Sequence, residues 1–324
     1  MLSRNDLNSI FQKIGATKVI KELVVQNLWS NYGFILKLQT DSRLHQNVVI
    51  KKIKIPKISN HPRGWDTETS NERKIKSYKV ENYFYQNYGT FSSNRCYFPK
   101  LIGSVTSETE TLLILEDLDA NGFSIRKTSL TPEKSKLCIK WLAHFHGTFL
   151  GFSPEGLWEK GTYWHLETRM DELKATSDSR IKSAAPLIDD KLNNCKFKTI
   201  LHGDAKVANF CFGKNNVSAV DFQYVGGGCG IKDLAYFLGS SLKDEEIISN
   251  EEKIFDYYFS ELRSSLDKNR KEIEFKNLRD EWIQLYPYAW ADFHRFLTGW
   301  RPGHWKLGDY STLQLNKVLN QLNI

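Results

Sequence analysis

TILHGDAKVANF (residues 199–210), followed by SAVDF (residues 218–222), is the stretch on which the reading of this chain turns. It sets His202, Gly203 and Asp204 after an apolar strand carrying Ile200 and Leu201, Asn209 five residues on, and Asp221 beyond a second apolar strand through Ala219 and Val220. An Asp and an Asn in a loop can do no more than shape turns. Two apolar strands flanking them change the reading, because polar groups that emerge from a rigid buried base are held in place. The residue types point to phosphoryl transfer to an alcohol. That chemistry asks for a carboxylate at the attacking hydroxyl, a carboxamide oxygen on Mg²⁺ and a second carboxylate holding Mg²⁺ between nucleotide phosphates. Asp204, Asn209 and Asp221 fill those places in order, and oxygen-only ligands suit a hard cation that keeps several waters. His202 is read as a prop for the loop backbone, and Asp233 as a tie between the loop after Asp221 and a helix start, with metal ligation as its alternative.

Working toward the N-terminus, residues 19–29 and 33–38 read as two strands joined by a tight turn through Ser30, Asn31 and Tyr32. Residues 47–55 form a third strand ended by Pro56, and 71–88 a helix with Thr69 and Glu72 in capping-box spacing. Alternation along the third strand puts Val49, Lys51, Ile53 and Ile55 on one face and Lys52 and Lys54 on the other. Lys51 alone is flanked on its own face by apolar residues, so it points inward, and a buried ammonium needs a partner. The helix offers one: Glu81 lies in a stripe with Tyr78, Phe84, Tyr85 and Tyr88 at three- and four-residue spacing. A carboxylate there is costly unless paired, and Lys51–Glu81 is the expected ion pair. The turn from Ser30 to Gly33 sits where a phosphate-covering loop belongs, although it holds a single glycine. In LLILEDL (residues 112–118) the backbone between Glu116 and Leu118 is placed to meet an adenine edge; a plain linker is equally compatible.

Beyond that connection the pattern turns helical. Thr131-Pro132 starts a helix, and Trp141, Leu142, Phe145 and Phe149 supply its apolar stripe. VGGGCG (residues 225–230) opens no long apolar helix and is read as a flexible loop on the metal side. His144, His146 and His165 show no metal-ligand spacing and are read as core or groove histidines. Tyr163, Trp164, His165, Trp300, Arg301, His304 and Trp305 either line an acceptor groove or pack as core. The expected fold is α+β and two-lobed: a strand-rich lobe with one key helix over 1–118, and a helical lobe over 119–324.

Composition bounds the rest. The chain has 324 residues, 40% hydrophobic and 26% charged, with a formal charge of +7. No run approaches the roughly 18 apolar residues of a membrane span, and the first residues lack the apolar core of a secretory signal. Five scattered cysteines without a CxxC pair read as free thiols in a reducing compartment, giving a cytoplasmic expectation. Lys and Arg are spread, densest over 51–57 and 73–79, where a nucleic-acid protein would gather them in one stripe among aromatics. The glycine run suggests no nicotinamide-dependent oxidoreductase.

Together HGDAKVANF, the VDF at Asp221, VVIK at Lys51, ENYFY around Glu81 and LLILEDL resemble the kinase-like phosphotransferases, most of all the ecdysteroid kinase-like and choline kinase-like branch. The resemblance spans residues 20–240. It implies a two-lobed protein-kinase-like fold with ATP in the cleft, Lys51 on the α- and β-phosphates and paired with Glu81, Asp204 as base, and Asn209 and Asp221 on Mg²⁺. HRD and APE are missing, and Gln223 stands where a DFG glycine would follow Phe222, so a small-molecule alcohol, sterol-like, choline-like or antibiotic-like, is expected as acceptor rather than a protein. The competing expectation is a catalytically silent nucleotide-binding or scaffold relative, which usually lacks at least one of these five residues.

Overall fold

The computed structural model describes residues 2–28, 32–55, 68–269 and 271–324, with the side chains of residues 68 and 69 left aside. Strands β1 (Val19–Asn27), β2 (Gly33–Thr40), β3 (Asn47–Lys54), β4 (Leu101–Thr106) and β5 (Glu110–Glu116) form one antiparallel sheet. Its order, β1-β2-β3-β5-β4, slots β5 between β3 and β4. Alternation sorts the side chains of the central strands onto two faces. Leu36, Leu38, Val48, Ile50, Leu112 and Ile114 pack beneath helix α1 (Arg4–Ile14) through Ile10 and Ile14. Leu113 and Leu115 face the other way, into a core shared with Phe84 and Tyr85 of helix α2 (Glu68–Tyr88).

Four details differ from expectation. The sheet carries two helices rather than one: α1 begins at a capping box in which Ser3 and Asp6 bond each other's backbone, a start signal that precedes a short apolar stripe. Strand β4 lies in a stretch whose side chains are only half-buried, so its alternation is weak. Helix α2 starts three residues earlier than 71; Trp29, Ser30 and Asn31 and the Thr69 side chain lie outside the described residues. Lys52 does lie opposite Lys51 but is buried too, because α1 covers that face and Asp6 accepts from its ammonium at 2.6 Å.

Helix α3 (Pro132–Phe149) opens with Thr131 accepting from the Lys134 N–H, as its Thr-Pro start predicts. It lies at the centre of the larger core, with Trp141, Phe145 and Phe149 buried. Helices α4 (Met170–Ala175), α5 (Ser179–Asn193), α6 (Ile231–Ser241), α7 (Asp244–Lys268), α8 (Phe275–Trp300) and α9 (Asp309–Gln321) complete this half. Two short ribbons are set among the helices: β6 (Thr199–Leu201) pairs with β9 (Gly226–Gly228), and β7 (Phe210–Phe212) with β8 (Val217–Ala219). The glycine run is therefore a strand, not a flexible loop. Its backbone lies so close to the Trp158 segment that a Cβ on Gly226 would sit 2.2 Å from the Trp158 carbonyl oxygen. All five cysteines are buried free thiols. Among the described residues no helix is long and apolar enough to cross a membrane.

Candidate active site

The site grows from the two ribbons. β6 delivers His202, Gly203 and Asp204 into the turn that follows it, and β7 begins immediately after Asn209. This turn is held from behind by Asp233 in the first turn of α6, whose carboxylate accepts from the His202 N–H at 2.6 Å and the Gly203 N–H at 3.0 Å. His146 adds a contact to the same carboxylate at 3.1 Å. Asp233 thus ties the residues before Asp204 to a helix start, a correction to the loop after Asp221 that spacing suggested. His202 is a prop: one ring nitrogen meets the Val220 carbonyl and the other the Asp204 N–H. Burial lowers its pKa, which keeps the imidazole neutral.

Asp204 is ringed by donors. The Asn209 amide nitrogen donates to its Oδ2 at 3.0 Å and to its backbone carbonyl at 2.8 Å. The Lys206 ammonium donates to Oδ2 at 2.7 Å, and the Tyr236 hydroxyl to Oδ1 at 3.1 Å. With both amide protons spent on Asp204, what Asn209 offers the cleft is its carbonyl oxygen. Burial alone would pull the Lys206 ammonium down, but Asp204 and Asp221 hold its pKa above the ordinary lysine value.

Asp221 follows β8 with φ 70°, a left-handed conformation that Asp tolerates better than most residues and that marks functional turns. Pairing stops at Ala219, short of Val220, because the chain must bend to present this carboxylate. Gln223 donates to Asp221 Oδ1 at 2.6 Å. Across the cleft, Lys51 on β3 donates to both Glu81 oxygens at 2.7 and 2.9 Å and reaches Asp221 Oδ1 at 3.4 Å. The expected ion pair forms, buried on both sides. Burial pushes the Lys51 ammonium down, and the two carboxylates more than reverse that. Burial dominates at Glu81, raising its pKa to about 7 despite Lys51. At Asp221 burial is outweighed by Lys51 and Lys206, which hold it near 2.

Lys51, Glu81, Lys206, Asn209, Asp221 and Gln223 face one cleft of about 440 Å³ between the sheet and the helices, and Asp204 lies behind its wall, bonded to Lys206 and Asn209. Val25, Val49, Leu115 and Val220 give it apolar walls, and Lys51, Lys206, Asn209 and Asp221 give it a polar, charged wall. Glu116 and Leu118 line it as well. The Glu116 carboxylate is occupied by the Tyr97 hydroxyl, the Asn121 amide and the Lys100 N–H, so it shapes the connection to the helices. Gly33 starts β2 at φ 133°, where a Cβ would lie 2.0 Å from the Lys52 carbonyl oxygen, so the backbone itself demands glycine there. Ser30 lies outside the described residues. Of the aromatic set, Trp164 is core with Tyr236 and Phe293, Tyr163 and Trp300 pack against it, and Trp305 is exposed.

Lys206, Gln223 and Tyr236 are additional site residues that spacing left out. Lys206 lies inside the DAKVAN segment, two residues from Asp204, where a cation beside a carboxylate is a signal in itself. Tyr236 is one helical turn from Asp233, on the same face of α6.

The ecdysteroid kinase-like family model matches residues 158–270, which include Asp204, Asn209 and Asp221. A search of solved structures finds choline kinase from Cryptosporidium parvum at a TM-score of 0.60 and 11% identity, covering 99% of this chain and 96% of that one. The two chains share a fold over nearly their whole lengths. Choline kinase LicA from Streptococcus pneumoniae gives a TM-score of 0.51 at 12% identity over 98% of both chains. Among curated sequences, the chain is similar to a LicA homologue of Mycoplasma capricolum subsp. capricolum, 27% identical over 189 residues, 55% of this chain and 73% of that one.

Proposed function

We propose that this protein is a small-molecule kinase that transfers the γ-phosphoryl group of ATP to a hydroxyl of its acceptor. The observation that carries the reading is the buried Lys51 ammonium held between Glu81 and Asp221, on a cleft that the Asp204–Asn209 turn also enters. In this reading the lobe over 1–118 carries the nucleotide and the boundary falls near Leu118. The adenine lies against the apolar wall, with the backbone of 116–118 at its edge, and Lys51 neutralises the α- and β-phosphates. Asn209 and Asp221 would hold Mg²⁺, and their donor set fits it: one uncharged carbonyl oxygen and one carboxylate that stays ionised. When bound, Mg²⁺ neutralises phosphate charge that develops during transfer.

Asp204 accepts the proton of the acceptor hydroxyl as its oxygen bonds the γ-phosphorus and the bond to the β–γ bridging oxygen breaks, releasing ADP. Tyr236 and Asn209 fix the carboxylate's orientation, and Lys206 lies where charge builds on the transferred group.

Calorimetric titration of Mg·ATP into the wild type and Asp221→Asn tests this. Metal-dependent binding that the variant loses supports the site, and absence of nucleotide binding overturns it. Binding without turnover of any alcohol supports the silent, scaffold reading instead.

A further inference from the structure

Asp204 meets, through Tyr236, a buried apolar cluster of Trp164, Tyr236, Phe293, Phe296 and Leu297. Tyr236 belongs to both places: its hydroxyl bonds Asp204, and the Lys306 ammonium stands 4.4 Å from its ring centroid. Lys306 comes from the loop between α8 and α9, and the same ammonium lies 5.6 Å from the Phe293 ring and 5.5 Å from the Trp305 ring. Three rings around one cation make the kind of cage that recognises a quaternary ammonium ligand. Here the protein's own lysine fills it.

The other cations around this cluster have carboxylates. Lys206 pairs with Asp204 at 2.7 Å, Lys232 with Asp292 at 3.1 Å, Arg295 with Asp292 at 2.7 Å and Arg169 with Glu172 at 2.8 Å. Among the described residues no carboxylate lies within 4.0 Å of the Lys306 ammonium, and none of their atoms accepts a hydrogen bond from it. Burial, partly offset by Asp204, draws its pKa down to about 8. A half-buried cation held on apolar rings and left without an anion is unfavourable in the free protein. A ligand anion would repay that cost, and a second cation would be repelled.

Resting on the kinase reading above, we propose that the acceptor alcohol carries an anionic group, carboxylate or phosphate, that pairs with Lys306 while its hydroxyl meets Asp204. Quaternary ammonium alcohols are excluded because Lys306 occupies their cage.

The test is calorimetric titration of the full chain, with and without Mg²⁺ and a non-hydrolysable ATP analogue, using D-glycerate, glycerol 3-phosphate, glycerol and choline. Either anion should bind more tightly than glycerol or choline, and which anion does so separates carboxylate from phosphate. Lys306→Gln should weaken that anion on the order of tenfold or more, and Lys306→Arg should retain most of its affinity. Unchanged binding of the ATP analogue shows that the Gln variant is folded. Tighter binding of choline or glycerol, anion binding indifferent to Lys306→Gln, or no anion binding at all overturns the proposal. Failure to bind the ATP analogue overturns the kinase reading instead, and the titrations without nucleotide still decide what Lys306 holds.

Discussion

One ammonium serves two carboxylates at Lys51, and the unequal outcome is measurable. Glu81, wholly buried, has its pKa raised from 4.5 to about 7, while Asp221 is held near 2. A carboxyl whose pKa rises on folding binds more protons in the folded state, so its contribution to stability is full below about 4.5 and is lost as pH rises through about 7. Asp221 runs the opposite way: its contribution is present above 3.8 and lost as pH falls toward 2. Denaturant melts of the nucleotide-free protein across pH 4 to 8 should therefore show wild type losing stability relative to Glu81→Gln between those values. A difference that stays flat with pH would mean Glu81 is ionised throughout. Asp204 supports a separate prediction. Asp204→Asn keeps the shape of the turn but cannot take a proton, so kcat should fall roughly 10²- to 10⁴-fold, with nucleotide affinity little changed. Comparing steady-state rates with nucleotide titrations separates the two effects.

The ribbons and the helix behind them set the position of the site, and their weak points are identifiable. Removing the Asp233 side chain strands two backbone N–H groups, of His202 and Gly203, and the His146 ring in a dry interior. Asp233→Ala should cost roughly 3 kcal/mol or more in urea melts, although Asp233 does not line the cleft. At the sheet, Gly33→Ala forces a Cβ onto the Lys52 carbonyl, and a loss above about 1 kcal/mol is expected in the same assay. What could be read in advance follows from the same physics. Lys51 and Glu81 were legible because a charge inside a strict apolar period can only be paired, and Thr131-Pro132 because capping is local chemistry. β9 was not: three glycines carry no side-chain pattern, and only the nearby Trp158 backbone makes them a strand. α1 left a signal at Ser3 and Asp6 that is local and readable, whereas the place it covers, over Lys52, depends on tertiary packing. The place of Lys306 over the Tyr236 ring could not be read either, since the two lie 70 positions apart in the chain.

For the whole molecule, a ligand bridging the sheet and the helical half stabilises both by mass action. At about one hundred times its dissociation constant Mg·ATP should add about 2.7 kcal/mol, a shift of a few degrees in melting temperature. Asp221→Asn or a chelator should remove the metal-dependent part, and scanning calorimetry reads it directly. The five thiols have a bearing on such experiments. Every one is buried, and burial pushes Cys96, Cys138, Cys211 and Cys229 toward the unreactive protonated form, while Cys195 alone is drawn down, by its contact with Cys229. Native protein should therefore be silent to a maleimide dye, and each molecule that opens should take up several at once. The chain carries its own internal clock for unfolding, and a cysteine placed at exposed Leu44 would be a single addressable handle for a fluorophore.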